Sequence, residues 1–191
     1  MHPIWKFVTE FGDTAVLAPL AAVMLLWLLF MRRPRGAAWW AIAVVFCAGS
    51  TALFKVFIYG CSPSPDLHSP SGHTSLSTLV YGAIALVTAA GSRGLSRILA
   101  ISGGFGIILA IAASHLVLYA HSEPEVGLGF VLGTAALALF GLQYRPNQPS
   151  RAWLIPLLVT GGVLLFILHG RELRVEDFIR MIAGYLRIYC A

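Results

Sequence analysis

The stretch that decides the fold comes early in the chain, where residues 14–31 read TAVLAPLAAVMLLWLLFM, without a charged side chain. A helix of this length rises about 27 Å, which nearly spans the hydrocarbon core of a bilayer, about 30 Å thick. The whole chain shares this character, since 58% of its 191 residues are hydrophobic and 11% are charged. A soluble domain carries about 25% charged residues. The composition therefore favours a membrane protein over a soluble helical bundle.

Five further apolar stretches of similar length follow along the chain, at residues 37–59, 74–91, 98–119, 126–143 and 152–169. Backbone N–H and C=O groups in lipid must pair within the protein, which a helix achieves by itself. Barrel strands would instead be short and alternate in hydropathy. We therefore predict an all-α integral membrane protein with six transmembrane helices, in one domain that covers residues 1–191. The first stretch is retained as a helix of the mature protein, because no small-residue cleavage site follows it.

Basic and acidic residues separate along the chain. Three of the loops between predicted helices hold seven arginines and no acid: Arg32, Arg33, Arg35, Arg93, Arg97, Arg145 and Arg151. All eight acids fall in the other loops and the terminal segments: Glu10, Asp13, Asp66, Glu123, Glu125, Glu172, Glu176 and Asp177. The positive-inside rule then places the arginine loops in the cytoplasm. The protein would lie in the inner or plasma membrane. Both termini and the loops 60–73 and 120–125 would lie on its outer side. The net charge of +5 thus reflects topology and not nucleic-acid binding.

The two terminal segments differ from the apolar stretches. Residues 1–13 mix aromatic and charged side chains, which suits a short interfacial segment. Residues 171–189 place apolar side chains at helical spacing, which predicts an amphipathic helix on the outer membrane surface. This helix is either an anchor or a rim that shapes lipid entry to a site. Cys61 and Cys190 both fall on the outer side, where a disulfide is geometrically allowed, and the sequence leaves their pairing open.

A polar segment interrupts the apolar pattern at residues 69–75, which read SPSGHTS at the start of the third predicted helix. The free N–H groups of a first helical turn, together with the helix dipole, favour an anion. Gly72 allows close approach of a ligand to the backbone, Ser71 offers a cap or a hydroxyl donor, and His73 can exchange a proton near neutral pH. The alternative is an ordinary serine-capped helix start with an interfacial histidine.

Other unusual polar residues also fall at the outer ends of the predicted helices. Lys55 lies near the end of the second, His115 near the end of the fourth, and His121 and Glu125 just before the fifth. Ionisable groups at membrane depth are costly and usually face a water-filled cavity. We therefore predict one shared polar site at the outer face. Asp66 and His68 are expected to be loop residues near it.

These residues resemble the three motifs of the type 2 phosphatidic acid phosphatases, which share a core with the vanadium haloperoxidases. That family carries K-x6-R-P, P-S-G-H and S-R-x5-H-x3-D. The corresponding segments here are Lys55-x6-Ser62-Pro63, Pro70-Ser71-Gly72-His73 and Ser114-His115-x5-His121-x3-Glu125. The resemblance covers about residues 40–140, and the six-helix layout extends it to the whole chain.

The resemblance implies a phosphatase that acts on a lipid phosphate or diphosphate of the polyprenyl, phosphatidyl or lipid A type. His121 would attack phosphorus and form a phosphohistidine, with Glu125 holding the proton on its other ring nitrogen. His73 would protonate the leaving group. The phosphate oxygens would be held by Ser71, the Gly72 amide and Lys55. The family's chemistry implies no cofactor and no metal.

Three positions depart from the family pattern. Both motif arginines are replaced, by Ser62 and His115, and the aspartate is replaced by Glu125. Arginine grips phosphate with a permanently charged, bidentate fork, whereas Ser62 offers one neutral hydrogen bond and His115 is a cation only when protonated. A rate that favours mildly acidic pH is therefore expected if His115 binds phosphate.

The departures leave two other interpretations open. One is a non-catalytic relative that keeps the fold and has a binding or scaffolding role. The other is a metalloprotein, in which histidines and a carboxylate supply the ligands, although their spacing fits no common zinc motif. The residues available for such a metal site are His68, His73, His115, His121 and Glu125.

Overall fold

The computed structural model describes residues 3–61, 68–144 and 151–190. In these ranges the chain forms eight α-helices, and a short 3-10 turn, Glu10–Gly12, joins the first two. The helices are α1 (Pro3–Thr9), α2 (Thr14–Phe30), α3 (Pro34–Cys61), α4 (Gly72–Ala90), α5 (Leu95–Val117), α6 (Glu123–Gln143), α7 (Arg151–Leu168) and α8 (Val175–Cys190). The predicted all-α class is therefore confirmed.

Among the residues that the structure describes, five helical segments are long and apolar enough to cross a membrane. The first runs from Pro3 to Phe30 and so includes α1, the 3-10 turn and α2; the others are α3, α4, α5 and α6. The apolar part of α7, Trp153–Leu168, is shorter. A count of six spans therefore stays a prediction. Many large apolar side chains face outward, among them Phe30, Val45 and Leu53, as expected of helices whose surroundings are lipid.

Helix α4 lies at the centre of the bundle and contacts α2, α3, α5 and α6. The two ends of α4 mark the two ends of the molecule. At the histidine end, which holds His73, His115 and His121, α3 and α5 finish, and α4 and α6 begin. At the arginine end, which holds Arg33 and Arg35, α3 and α5 begin, and α2 and α6 finish. The core between them is apolar and well filled, with Met24, Trp40 and Phe140 fully buried.

Two glycines allow α6 to approach α4 closely. A Cβ atom added at Gly129 would lie 2.6 Å from the carbonyl oxygen of Ser71, and one at Gly133 would clash with the carbonyl oxygen of Ser75. Small residues are a common way for membrane helices to pack backbone against backbone. The contact brings the beginning of α6 beside the beginning of α4, where the predicted site residues lie.

The C-terminal helix is present but begins later than the predicted 171–189. Gly170, at a φ of 80°, follows α7, and residues 171–174 are not helical. In this segment the Leu173 amide donates to Asp13 Oδ1 (3.1 Å). Helix α8 packs on α3 and buries Ile179. Cys61 and Cys190 form a disulfide, with their Cα atoms 5.1 Å apart. The pairing that the sequence left open is therefore present.

Candidate functional site

Three of the predicted site histidines meet at the histidine end. The ring centroids of His73 and His115 are 4.8 Å apart, and those of His115 and His121 are 5.3 Å apart. The turn after α5 makes this possible, because Tyr119 takes a left-handed conformation (φ 53°) and the Ala120 amide donates to the His115 carbonyl oxygen (3.0 Å). The chain thereby folds back and places His121 beside the end of the helix it has just left.

Glu125 holds His121 and caps its own helix. Its Oε2 lies 3.3 Å from His121 Nδ1 and accepts a hydrogen bond from the Ser122 amide (2.9 Å). This is the carboxylate half of a capping box at the start of α6. When Nδ1 carries the proton toward the carboxylate, the lone pair of the imidazole is on Nε2. Burial lowers the pKa of His121, and Glu125 offsets this only in part, so the ring is neutral at pH 7.

Asp13 was not singled out as a site residue from the sequence, yet its Oδ2 lies 3.6 Å from His73 Nε2. It is buried (7% exposed), and its other oxygen accepts from the amides of Ala15 (2.7 Å) and Leu173 (3.1 Å). The carboxylate is therefore fixed in place and directed at a histidine. The sequence does carry one sign of this role: Asp13 comes directly before an apolar span, where an ionised group requires a partner.

His115 is the most buried of the three histidines, with 4% of its surface exposed. Its Nε2 lies 3.3 Å from Thr9 Oγ1, whereas Nδ1 has no hydrogen-bond partner within the described ranges. No carboxylate that the structure describes forms an ion pair with this ring. The structure thus supplies no partner for a charged His115, on which the expected preference for acidic pH depends.

Lys55, the predicted cation of the site, is buried and paired with Glu176 of α8. The Tyr59 hydroxyl donates to the same carboxylate (2.5 Å). Burial acts to raise the pKa of Glu176, but the hydrogen bonds from Lys55 and Tyr59 hold it below its ordinary value. Glu176 is therefore ionised and already compensates the Lys55 charge. The sequence placed this acid on the outer side but gave no sign of the pairing.

A chain of polar contacts continues from this pair to the candidate nucleophile. The hydroxyl oxygens of Tyr59 and Ser69 are 3.3 Å apart, and Ser69 donates to Glu125 Oε1 (3.4 Å). Glu125 in turn holds His121. The last helix is thus connected to the histidine cluster through side chains of α3, of Ser69, which directly precedes the P-S-G-H segment, and of α6.

In the P-S-G-H segment the serine acts as a helix cap. Ser71 is fully buried, and its hydroxyl oxygen accepts from the Thr74 amide (3.4 Å) and the Thr74 hydroxyl (3.1 Å). Of the two predicted roles of Ser71, the structure shows the helix cap, because its hydroxyl oxygen already accepts hydrogen bonds from Thr74. A Cβ atom at Gly72 would meet only the Thr51 methyl group, at an ordinary 3.8 Å. Ser62, the remaining predicted phosphate contact, lies outside the described residues.

Two further histidines at this end do not make ring contacts with the cluster. His68 is exposed and lies 3.4 Å from Ser122 Oγ. His169 contacts Glu10 (3.2 Å) and the Phe7 carbonyl oxygen (3.0 Å). In the part of the chain that the structure describes, no three His, Cys, Asp or Glu side chains are placed to hold a metal ion together.

An apolar groove runs along the membrane-facing side of α3 and α6 and reaches the histidine end. It encloses about 400 Å³. Its lining is apolar except at the end nearest the cluster, where His68 lies, and it consists of Phe54, Ile58, His68, Pro70, Pro124, Leu128, Val131 and Leu132. A hydrocarbon chain fits such a lining.

Comparison with known proteins identifies a relative of this chain. No family model and no solved structure matches the chain. A protein of Klebsiella pneumoniae, described as an uncharacterized 22.5 kDa protein in the cps region, is 33% identical over 154 residues, which is 76% of this chain and 72% of the Klebsiella protein. This identity extends over most of both chains, and the chain therefore belongs to the same family as the Klebsiella 22.5 kDa protein.

Proposed function

We propose that the protein is a membrane lipid phosphatase of the type 2 phosphatidic acid phosphatase kind, with six spans and its site at the outer face. One observation carries the proposal. His73, His115 and His121, which belong to two separate motifs of the sequence, meet at one place, and a carboxylate holds Nδ1 of His121. A neutral imidazole with one nitrogen fixed by a carboxylate is the arrangement that a histidine nucleophile requires.

The reaction follows from this geometry in two steps. His121 Nε2 attacks phosphorus, and the bond from phosphorus to the leaving oxygen breaks as His73 supplies a proton to that oxygen. Water then attacks the phosphohistidine, gives up a proton to His73, and releases inorganic phosphate and free His121. Glu125 keeps the proton on Nδ1 throughout and stabilises the ring as it becomes positive. The first-turn amides of α4 are the donors nearest to the phosphate oxygens.

The groove between α3 and α6 supports an amphiphilic substrate. A chain lying along Phe54 and Leu128 would remain in contact with the membrane, while its phosphate reaches the histidines. The cps region in the name of the Klebsiella relative denotes a capsule gene region. Polyprenyl phosphates and diphosphates, the lipids that carry sugars to the cell surface, are therefore the first substrates to test.

Two observations support the outer placement of the site. The Cys61–Cys190 disulfide lies at the histidine end, and disulfides persist in oxidising compartments outside the cytoplasm. The opposite end carries the arginines that the positive-inside rule assigns to the cytoplasm.

The experiment is phosphate release from a panel of lipid phosphates and diphosphates in detergent, with wild type compared with His121→Asn. We expect turnover that is lost in the variant and unaffected by a chelator. His169→Asn is the matched control, because this histidine lies at the same end but contacts Glu10 instead of the cluster. Turnover that disappears with chelator would identify a metal enzyme instead. Equal turnover in His121→Asn and wild type would reject the mechanism.

A binding or scaffolding protein is the second candidate, and the pairing of Lys55 with Glu176 favours it. The predicted phosphate cation is compensated before any substrate arrives. Absence of turnover on every lipid, from folded protein across pH 5–8, would make this the better account. Saturable binding of the same lipids would then be the property to measure.

A further inference from the structure

The arginine end carries a cavity that the proposed reaction does not use. It encloses about 570 Å³ and is lined by the α2–α3 connection, the first turn of α3 and the end of α6. The lining residues are Arg33, Pro34, Arg35, Gly36, Trp39, Gln143 and Tyr144. Two guanidinium groups and the first-turn amides of a helix favour an anion, and no acidic side chain is among the described residues of this lining.

Tyr144 supplies an independent sign of a ligand. The residue is 4% exposed, and its hydroxyl has no hydrogen-bond partner among the residues that the structure describes. Burial raises the pKa of Tyr144, with Arg33 offsetting this only in part, so the hydroxyl stays a neutral donor. Buried polar groups are nearly always paired. A ligand oxygen in the cavity would complete the missing contact.

A second cavity of about 660 Å³ adjoins the first and shares Tyr144 with it. It lies where α5 and α6 diverge, because both pack on α4 much more than on each other. Its walls are small or apolar, with Gly82 and Ala85 from α4 and Phe105 from α5, and Arg97 lies among them. A groove of this kind suits a hydrocarbon chain, and a soluble anion has no apolar part that would fill it.

We propose that the two adjoining cavities bind one anionic phospholipid. Its phosphate contacts Arg35 and the Tyr144 hydroxyl, Trp39 lies at the interface, and one acyl chain follows the groove between α5 and α6. Basic pockets between transmembrane helices are typical sites for anionic head groups of the inner leaflet. The site is at the far end of the bundle from the histidines, so the proposal holds whether or not the protein is a phosphatase.

The test is thermal unfolding of the full chain, purified in neutral detergent and titrated with phosphatidylglycerol, phosphatidylcholine or inorganic phosphate. A ligand that binds only the folded state raises Tm with its concentration. We expect a saturable rise with phosphatidylglycerol alone. Arg35→Gln should weaken the apparent affinity about tenfold, the effect of losing about 1.4 kcal/mol of binding. Arg32→Gln is the matched control, because Arg32 is exposed in the same connection but does not line the cavity.

Tyr144→Phe separates binding from folding. Without lipid, this variant should be at least as stable as wild type, because it removes a buried hydroxyl that lacks a partner. With phosphatidylglycerol its rise in Tm should be smaller than that of wild type. Equal rises with phosphatidylglycerol and phosphatidylcholine would overturn the proposal, as would equal affinities of Arg35→Gln and wild type. A rise with inorganic phosphate that matches phosphatidylglycerol would identify a soluble-anion site and overturn the lipid assignment.

Discussion

Glu176 of the last helix pairs with Lys55 of α3, and the Cys61–Cys190 disulfide joins the same two helices. The carboxylate therefore occupies the one cation that the sequence assigns to phosphate binding. A substrate phosphate must either displace Glu176 or bind without direct help from Lys55. These two modes of binding predict opposite changes in phosphate affinity when Glu176 is replaced.

Glu176→Gln should release Lys55 for phosphate. If displacement is part of binding, the inhibition constant of inorganic phosphate should fall about tenfold, consistent with one charge-assisted hydrogen bond of roughly 1.5–3 kcal/mol. The variant should also unfold at lower temperature, because Lys55 loses its buried partner. Asp177→Asn, an exposed acid on the same helix, is the control. If the inhibition constant rises instead, Lys55 and Glu176 act together to hold the site in position.

Removal of the disulfide should loosen α8. Cys190→Ser is expected to cost about 2–4 kcal/mol of unfolding free energy, measured by denaturant unfolding under non-reducing conditions. The buried free cysteine, Cys47, provides the comparison, since Cys47→Ala should not change the sensitivity to reductant. If reductant leaves the wild-type midpoint unchanged, the bond does not contribute to stability.

Asp13→Asn should slow the step in which His73 supplies a proton. We expect kcat to fall about 10²-fold, the lower part of the range for general acid–base catalysis, with little change in KM. The loss should shrink on an aryl phosphate, whose leaving group needs no proton. Glu10→Gln is the control, because Glu10 pairs with His169 outside the cluster. Equal losses on alkyl and aryl substrates would indicate a purely structural role for Asp13.

The acid limb of the pH–rate profile reports the state of His121. The nucleophile must be neutral, and burial lowers its pKa from an ordinary value near 6.5. The acid limb of kcat/KM should therefore lie below pH 6.5. In Glu125→Gln the limb should move lower still, because the carboxylate raises the pKa of His121, and kcat should drop. A wild-type limb above pH 7 would contradict the assignment.

Gly133→Ala should force α6 away from α4, since its Cβ would clash with the Ser75 carbonyl oxygen and with Thr78. Overpacking of this kind costs about 1–3 kcal/mol. Gly127→Ala is the matched control, because a Cβ at Gly127 meets nothing within 4 Å. Unfolding in detergent compares the stability of the two variants, and phosphate release compares their activity. Equal stability of the two variants would show that this contact does not determine the helix separation.

Much of the architecture could be predicted from local sequence. Apolar stretches placed the helices to within a few residues, and His73, His115 and His121 could be grouped because each lies at a helix end on the same side. Asp13 and Glu176 could not be assigned to the site, because each reaches it from a terminal segment far away in sequence. Such contacts depend on how the N- and C-terminal segments pack, and hydropathy patterns carry no information about that packing.

The close contact of α4 with α6 has a consequence for how members of this family can differ. Because Gly129 and Gly133 fix the separation of the two helices inside the bundle, the distance between the first turns of α4 and α6 does not depend on the connections outside it. Insertions or replacements in connections other than the α5–α6 turn, which carries His121, could therefore change the surroundings of the cluster without separating α4 from α6. Differences among relatives at this end of the molecule should be sought first in the connections and least in the helical crossing.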